Sequence, residues 1–312
     1  MTIDDAVRHS TELWDLPYLP ELPGRGPGAE MIGRALGLLE IGMERGTSRW
    51  QVASTHGREQ RAAKRMLRDD LDVLAEVLDG YSGPLKVSLA GPYTLLAMVD
   101  LVRGEPMVVD PGARRDLVQA HLHGVAELVA RVRELVPGAA PVLQLDEPAL
   151  GGVADGAIRS ASGLRQCPPI EAEEYGRAYR DLVSLDAASA GLVVHSCAPA
   201  PWRALMDAGV QAFAVDADLP GDIDLLAEHV DGGGDLWLGI VSTSPGASVP
   251  TPGHIATRTL DWLRPLELGD RLEGHLTLTP ACGLASFRVA DALGIARALR
   301  EATGLVADGL FG

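Results

Sequence analysis

Short runs of β-branched and other apolar residues recur along the chain, each followed by a longer stretch with apolar positions at helical spacing. The runs Lys86–Ala90, Val142–Leu145, Leu192–His195, Ala212–Val215, Leu236–Ile240 and Leu276–Thr279 predict strands. Their near-continuous apolarity suits parallel strands covered on both faces, because a half-exposed strand alternates apolar and polar positions. Helical patterns span Ile3–Leu13, Glu30–Glu44, Arg58–Leu78, Pro111–Leu135, Ala172–Ala190, Trp202–Ala208, Asp222–Val230, Thr251–Leu263 and Ala285–Thr303. Alternation repeated this often predicts an α/β architecture, and the length suits a single (β/α)8 TIM barrel over residues 1–312.

Two weaker extended stretches precede these strands, Pro17–Glu21 and Arg49–Ala53. Proline makes the first an unusual barrel strand. The chain opens on a helical pattern where a barrel opens on a strand. Either Arg49–Ala53 completes the eight, or the first strand is missing from this sequence; the second is the expectation, with Arg49–Ala53 in an inserted excursion. Gly- and Pro-rich stretches such as Gly151–Gly156 and Ser244–Gly253 read as loops, because the strand–helix rhythm continues on both sides of them.

Composition narrows the class of function. The formal net charge of −16 argues against nucleic-acid partners, whose phosphates need Lys and Arg, and against anionic membrane surfaces. No apolar run is long enough to span a bilayer, and the acidic N-terminus does not read as a secretion signal. Three cysteines in 312 residues make no disulfide framework. A cytoplasmic, reducing location is expected.

Two of those cysteines fall in matching positions. His195 and Cys197 end the run GLVVHSCAP, and Cys282 ends HLTLTPACGL, whereas Cys167 lies in the Pro-rich RQCPPI. Residues two apart project the same way only while the chain is extended, so His195 and Cys197 can share one ion at a strand end. One imidazole and two thiolates suit Zn²⁺. Asp216, ending AFAVD, is the candidate fourth ligand, although Asp218 faces the same way. In LQLDEPAL, Asp146 faces the barrel axis if Gln144 does, where it can hold an ammonium or a proton. Glu147 then faces the helical layer or a loop, and either carboxylate also fits a helix N-cap ahead of Pro148. Together with Glu21 and Gly91-Pro92, these groups all follow the C-terminal ends of extended segments, the end at which α/β sheets and barrels carry their sites.

These blocks carry a resemblance. VHSCAP, an Asp-bearing strand and TPACGLAS, with LQLDEPAL and SLAGPYTLL, resemble the C-terminal catalytic barrel of cobalamin-independent methionine synthase, in the same order from about Tyr18 to Gly283. The resemblance implies a zinc site of His195, Cys197, Asp216 (usually Glu in the family) and Cys282 that binds the homocysteine thiol. It implies that Asp146 and Glu21 contact the homocysteine amino group. A methyl group would pass to that thiol from methyl-folate or from methylcobalamin on a protein.

The chain departs from the family in three respects. It lacks the Gly-Ser-Phe/Leu-Pro type block of the first strand, it lacks the second barrel that helps bind a polyglutamyl folate, and it carries Thr243 in VSTSP where the family has a proton-relay His. A hydroxyl does not replace imidazole as a near-neutral acid. A donor that leaves without nitrogen protonation, such as methylcobalamin, is therefore favoured over folate. Arg25, Arg49, Arg58 and Arg61 are the sparse basic candidates for an anionic donor. The competing readings are a uroporphyrinogen-decarboxylase-like barrel, which needs no metal, and a non-catalytic barrel that binds zinc or a thiol.

Overall fold

The computed structural model describes residues 1–185, 191–219 and 221–311. Its strands are β1 Met43–Arg45, β2 Trp50–Val52, β3 Ser82–Ala90, β4 Val99–Asp100, β5 Gly138–Asp146, β6 Leu192–Ser196, β7 Ala212–Asp216, β8 Asp235–Val241 and β9 Leu276–Pro280. Six of them form one sheet in the order β3-β5-β6-β7-β8-β9. All of its pairings are parallel. Helices Pro111–Leu135, Ala172–Ser184, Trp202–Asp207, Ile223–Asp231 and Pro252–Leu263 make the successive crossovers.

Each strand divides its side chains between two environments. Leu143 and Leu145 of β5 join the large core between sheet and helices, as do Leu236 and Leu238 of β8. On the other face Val193, Ala212, Ala214 and Trp237 form a separate small cluster with Val142 and Leu16. The near-continuous apolar runs in the sequence reflect these two buried faces.

Among the described residues the main sheet is a curled, six-stranded parallel half-barrel, the part of the expected (β/α)8 architecture that the structure shows. Beside β3, the Pro17 segment runs parallel and makes one bridge, Tyr18 to Lys86. Leu19 N donates to Lys86 O at 3.0 Å, and Lys86 N donates to Pro17 O at 2.8 Å. Pro17 has no N–H, so the ladder does not extend on its N-terminal side. Helix Ile3–Leu13 leads directly into this segment, and no described strand stands between it and β9. Only Leu278 of the five β9 residues is buried, as befits an edge strand.

The Arg49–Ala53 stretch lies outside the main sheet, as expected. Within it β2 pairs with β1 antiparallel and with β4 in parallel. The expected helix Glu30–Glu44 is only Met31–Leu36. Residues 37–42 form turns and bends ahead of β1, with a close approach at Gly42, where a Cβ would stand 2.6 Å from Ala53 O. Helix Ala285–Thr303 begins later and runs longer, as Val289–Phe311. Helix Ala172–Ala190 is seen as Ala172–Ser184, and residues 186–190 of that expectation lie outside the described residues.

Glu147 belongs to the scaffold. It is fully buried, accepts from Tyr93 N at 3.0 Å and Thr94 N at 2.7 Å, and so satisfies the free N–H groups that open helix Pro92–Met98. Thr94 Oγ1 donates to it at 2.6 Å and the Tyr179 hydroxyl at 2.8 Å. One carboxylate thus ties β5 to two helices. Glu147→Ala strands these donors without a partner, and the expected cost is about 3 kcal/mol. A chemical-denaturation midpoint unchanged from the parent would contradict that role.

Candidate metal centre

The parallel register places the sequence candidates side by side. Asp146 of β5 pairs with His195 of β6, and His195 pairs with Ala214 of β7. The Nδ1 atom of His195 stands 3.1 Å from the Ala214 carbonyl oxygen. A carbonyl only accepts, so Nδ1 carries a proton and Nε2 is the nitrogen left to bind a metal. Cys197 follows two residues later, half-buried, while Cys282 is exposed.

Cys282 comes from the far side of the sheet. Ala281 N donates to Val241 O at 2.8 Å, which continues the ladder past the end of β9. Close approach there depends on Gly239, where a Cβ would lie 2.7 Å from the Cα of Ala281. The result is that ligand atoms of His195, Cys197 and Cys282 all lie within 4.8 Å of one another. Tetrahedral zinc, with bonds of about 2.0–2.3 Å, sets its ligands about 3.5–3.8 Å apart. Small side-chain adjustments bridge that difference, and the donor set of one neutral imidazole and two thiols fits zinc.

Asp216 ends β7 beside this cluster but outside the mutually close trio. One of its oxygens accepts from Asp218 N at 2.9 Å. Its charge helps to raise the Cys197 pKa, behind the larger effects of the Cys282 hydrogen bond and burial. Asp218 is tied to Arg258 by an ion pair. Each carboxylate thus has one oxygen engaged, Asp216 by a backbone N–H and Asp218 by the Arg258 guanidinium.

The three side chains act on one another electrostatically. Hydrogen bonds from Cys197 and then His195 pull the Cys282 thiol down to about 4, against burial. Burial disfavours the imidazolium of His195, but the Cys282 hydrogen bond and the charge of Asp146 outweigh it and raise its pKa. One thiolate supported by two donors is the protonated counterpart of a metal site.

The rest of the inner face is charged and enclosed. Gln144 Nε2 donates to Asp146 Oδ1 at 2.7 Å, and Lys86 Nζ donates to Gln144 Oε1 at 2.9 Å. Burial raises the pKa of Asp146, opposed by His195, Gln144 and Lys86. Burial lowers that of Lys86, opposed by Asp146 and Glu21. Glu21 is pushed up to about 7 by burial, with Arg34 working against the shift and Asp146 adding to it. The charge of Asp146 thus reaches Glu21 across the inner face.

Lys86 and Arg34 escaped the sequence reading. Each left a signal, since each is a single charge inside an apolar run, LKVSLA and IGRALGLL. Three of the four basic candidates serve the scaffold. Arg25 holds Asp70, Arg49 holds Asp100 and the Ala97 carbonyl, and Arg61 holds the His56 carbonyl. Arg58 is exposed. Ser242 and Ser244 hydrogen-bond each other on either side of Thr243.

The thiols should differ sharply in reactivity. In metal-free protein at pH 6, Cys282 should react with iodoacetamide at least tenfold faster than Cys167, which is buried and whose pKa burial raises. Equimolar zinc should abolish that difference by protecting Cys282. Peptide mass spectrometry checks both, and equal labelling of the two cysteines would contradict the electrostatic picture.

No family model and no curated protein matches the chain. Among solved structures, it is similar to a B12-independent methionine synthase from Shewanella sp. W3-18-1 in complex with selenomethionine. The TM-score is 0.64 at 14% identity, over 99% of this chain and 88% of that one. At that identity the likeness is one of fold: the α/β arc is that of a methionine synthase barrel.

Proposed function

We propose that the chain is a zinc-dependent methyltransferase that passes a methyl group to a thiol, homocysteine being the substrate that gives methionine. The observation that carries this reading is the convergence of His195, Cys197 and Cys282 at the C-terminal end of the parallel sheet. The fold shared with a methionine synthase supports it. Bound zinc would keep a substrate thiol deprotonated at neutral pH while leaving its sulfur nucleophilic.

The chain's own groups supply the rest. His195 offers Nε2 because its Nδ1 proton is held by Ala214. Cys197 and Cys282 would supply sulfur, and Asp216 would be the fourth ligand. Asp146, fixed by Gln144, and Glu21 attract the amino group of the substrate and so orient its thiol towards the metal. The methyl carbon forms its bond to this sulfur as its bond to the donor breaks.

The donor is the less equipped half. Only hydroxyl side chains stand at Ser242, Thr243 and Ser244, so no near-neutral acid is offered there to a leaving nitrogen. A methylcobalamin protein fits that environment better than methyl-folate.

Protein purified from zinc-replete cells should carry about one zinc per chain, and Cys282→Ser should lose most of it while remaining folded. Methyl transfer from methylcobalamin to homocysteine should fall at least a hundredfold in that variant. Folded wild-type protein that takes up no zinc would overturn the proposal.

A further inference from the structure

The rim of the sheet carries a surface that the sulfur cluster does not use. β3 and β5 are adjacent, and the chain leaves the C-terminal end of each through a short helix. It then reaches a loop, residues 101–106 after β3 and residues 155–171 after β5. Both loops belong to the end of the sheet where His195, Cys197 and Cys282 meet. They touch each other, since Ala161 N donates to Glu105 Oε2 at 3.0 Å. Each reverses tightly: Gly104 N donates to Leu101 O at 2.7 Å, and Arg159 and Gln166 form an antiparallel bridge.

The two tips present the same pair of residues. Val102 is 75% exposed and is followed by Arg103, and Leu164 is 90% exposed and is followed by Arg165. No other large apolar side chain among the described residues is as exposed as these two. Apolar side chains scattered over a surface are ordinary, but two that project from touching loops make a patch. Arg103, Arg165 and the neighbouring Arg159 are exposed as well, and no ion pair engages any of the three. Residues 157–170 contain no carboxylate, and the single one in residues 101–106, Glu105, is held by Ala161. A chain of net charge −16 thus shows a small, positive and apolar rim beside its candidate site.

The charges narrow what fits there. A two-fold dimer through this rim would set the same arginines against one another, which disfavours a second copy of this chain. An extended polyanion or an anionic membrane meets the field of the whole molecule, which repels it. A compact protein surface with carboxylates around an apolar spot matches both features of the rim and avoids that repulsion. We propose that residues 101–105 and 157–167 form the docking surface for a second protein with such an acidic face. Its role as the carrier of the methyl group rests on the thiol-methyltransferase reading, whereas the docking rests on the rim alone.

For the test, the photo-crosslinking residue p-benzoylphenylalanine replaces Val102, Leu164 or, as a control on helix Val289–Phe311, Leu305, in cells that make the chain. One and the same protein should become joined to positions 102 and 164 and not to position 305. Identified by mass spectrometry and purified, it should bind this chain in calorimetry. Combining Arg103→Glu with Arg165→Glu should weaken that binding at least tenfold, and raising NaCl from about 50 to about 300 mM should weaken it at least fivefold. Both arginines are exposed, so the variant should keep the circular dichroism of the parent. If it does not fold, the crosslinks and the salt dependence of the parent decide.

No adduct at positions 102 and 164, or adducts there only with this chain itself, with nucleic acid or with lipid, would overturn the docking surface. So would a shared partner whose affinity neither the charge reversal nor salt changes. Either failure leaves the zinc–thiol reading standing, because that reading is tested by zinc content and thiol binding. A shared, charge-dependent partner that holds no corrinoid and gives homocysteine no methyl group would uphold the docking and contradict the methyl-carrier role.

Discussion

In-register parallel pairing is the constraint from which the site follows. Because β5, β6, β7 and β8 run side by side in one direction, Asp146 and Asp216 at the ends of their strands and His195 next to the end of β6 lie at a common rim. Side-chain alternation then sends Asp146, His195 and Cys197 to one face, while Glu147 goes to the other. Adjacent carboxylates in one Asp-Glu-Pro sequence thereby acquire unrelated tasks. Glu147 secures a helix N-terminus and a tyrosine hydroxyl, and Asp146 faces the sulfur cluster.

The enclosed face gathers charges that would be costly singly. Lys86 stands among Glu21, Asp146 and Gln144, and its ammonium also lies 5.2 Å from the Tyr18 ring centre and 6.0 Å from that of Trp237. Each charge is met by an opposite one, as burial demands. The His195, Cys197 and Cys282 cluster follows the same logic, since two thiolates and an imidazole would be tolerable together were a dication among them.

Much of this was legible in the sequence because it is local. A strand with two buried faces writes a continuous apolar run, and the chemistry that ends it stands in the same decapeptide; Leu192–Cys197 shows both at once. The ion pairs of Arg34 with Glu21 and Asp70, and of Arg25 with Asp70, were not legible, because they join residues far apart in the chain whose partners only packing reveals. Helix Glu30–Glu44 was overextended for a related reason. Its periodicity persists beyond Leu36, but the close approach at Gly42 and the pairing of Met43–Arg45 with Trp50–Val52 prevail over it. Closure into eight strands is the expectation from the strand–helix count, whereas the segment beside β3 makes a single bridge, Pro17 having no N–H to extend it.

The central claim is that His195, Cys197 and Cys282 hold a zinc ion that binds a substrate thiol. X-ray absorption at the zinc edge, recorded without and with homocysteine, addresses it directly. The account predicts two sulfur neighbours in the resting protein and a third at about 2.3 Å once homocysteine is added. A shell with fewer than two sulfurs at rest, or a sulfur count that homocysteine leaves unchanged, would contradict it.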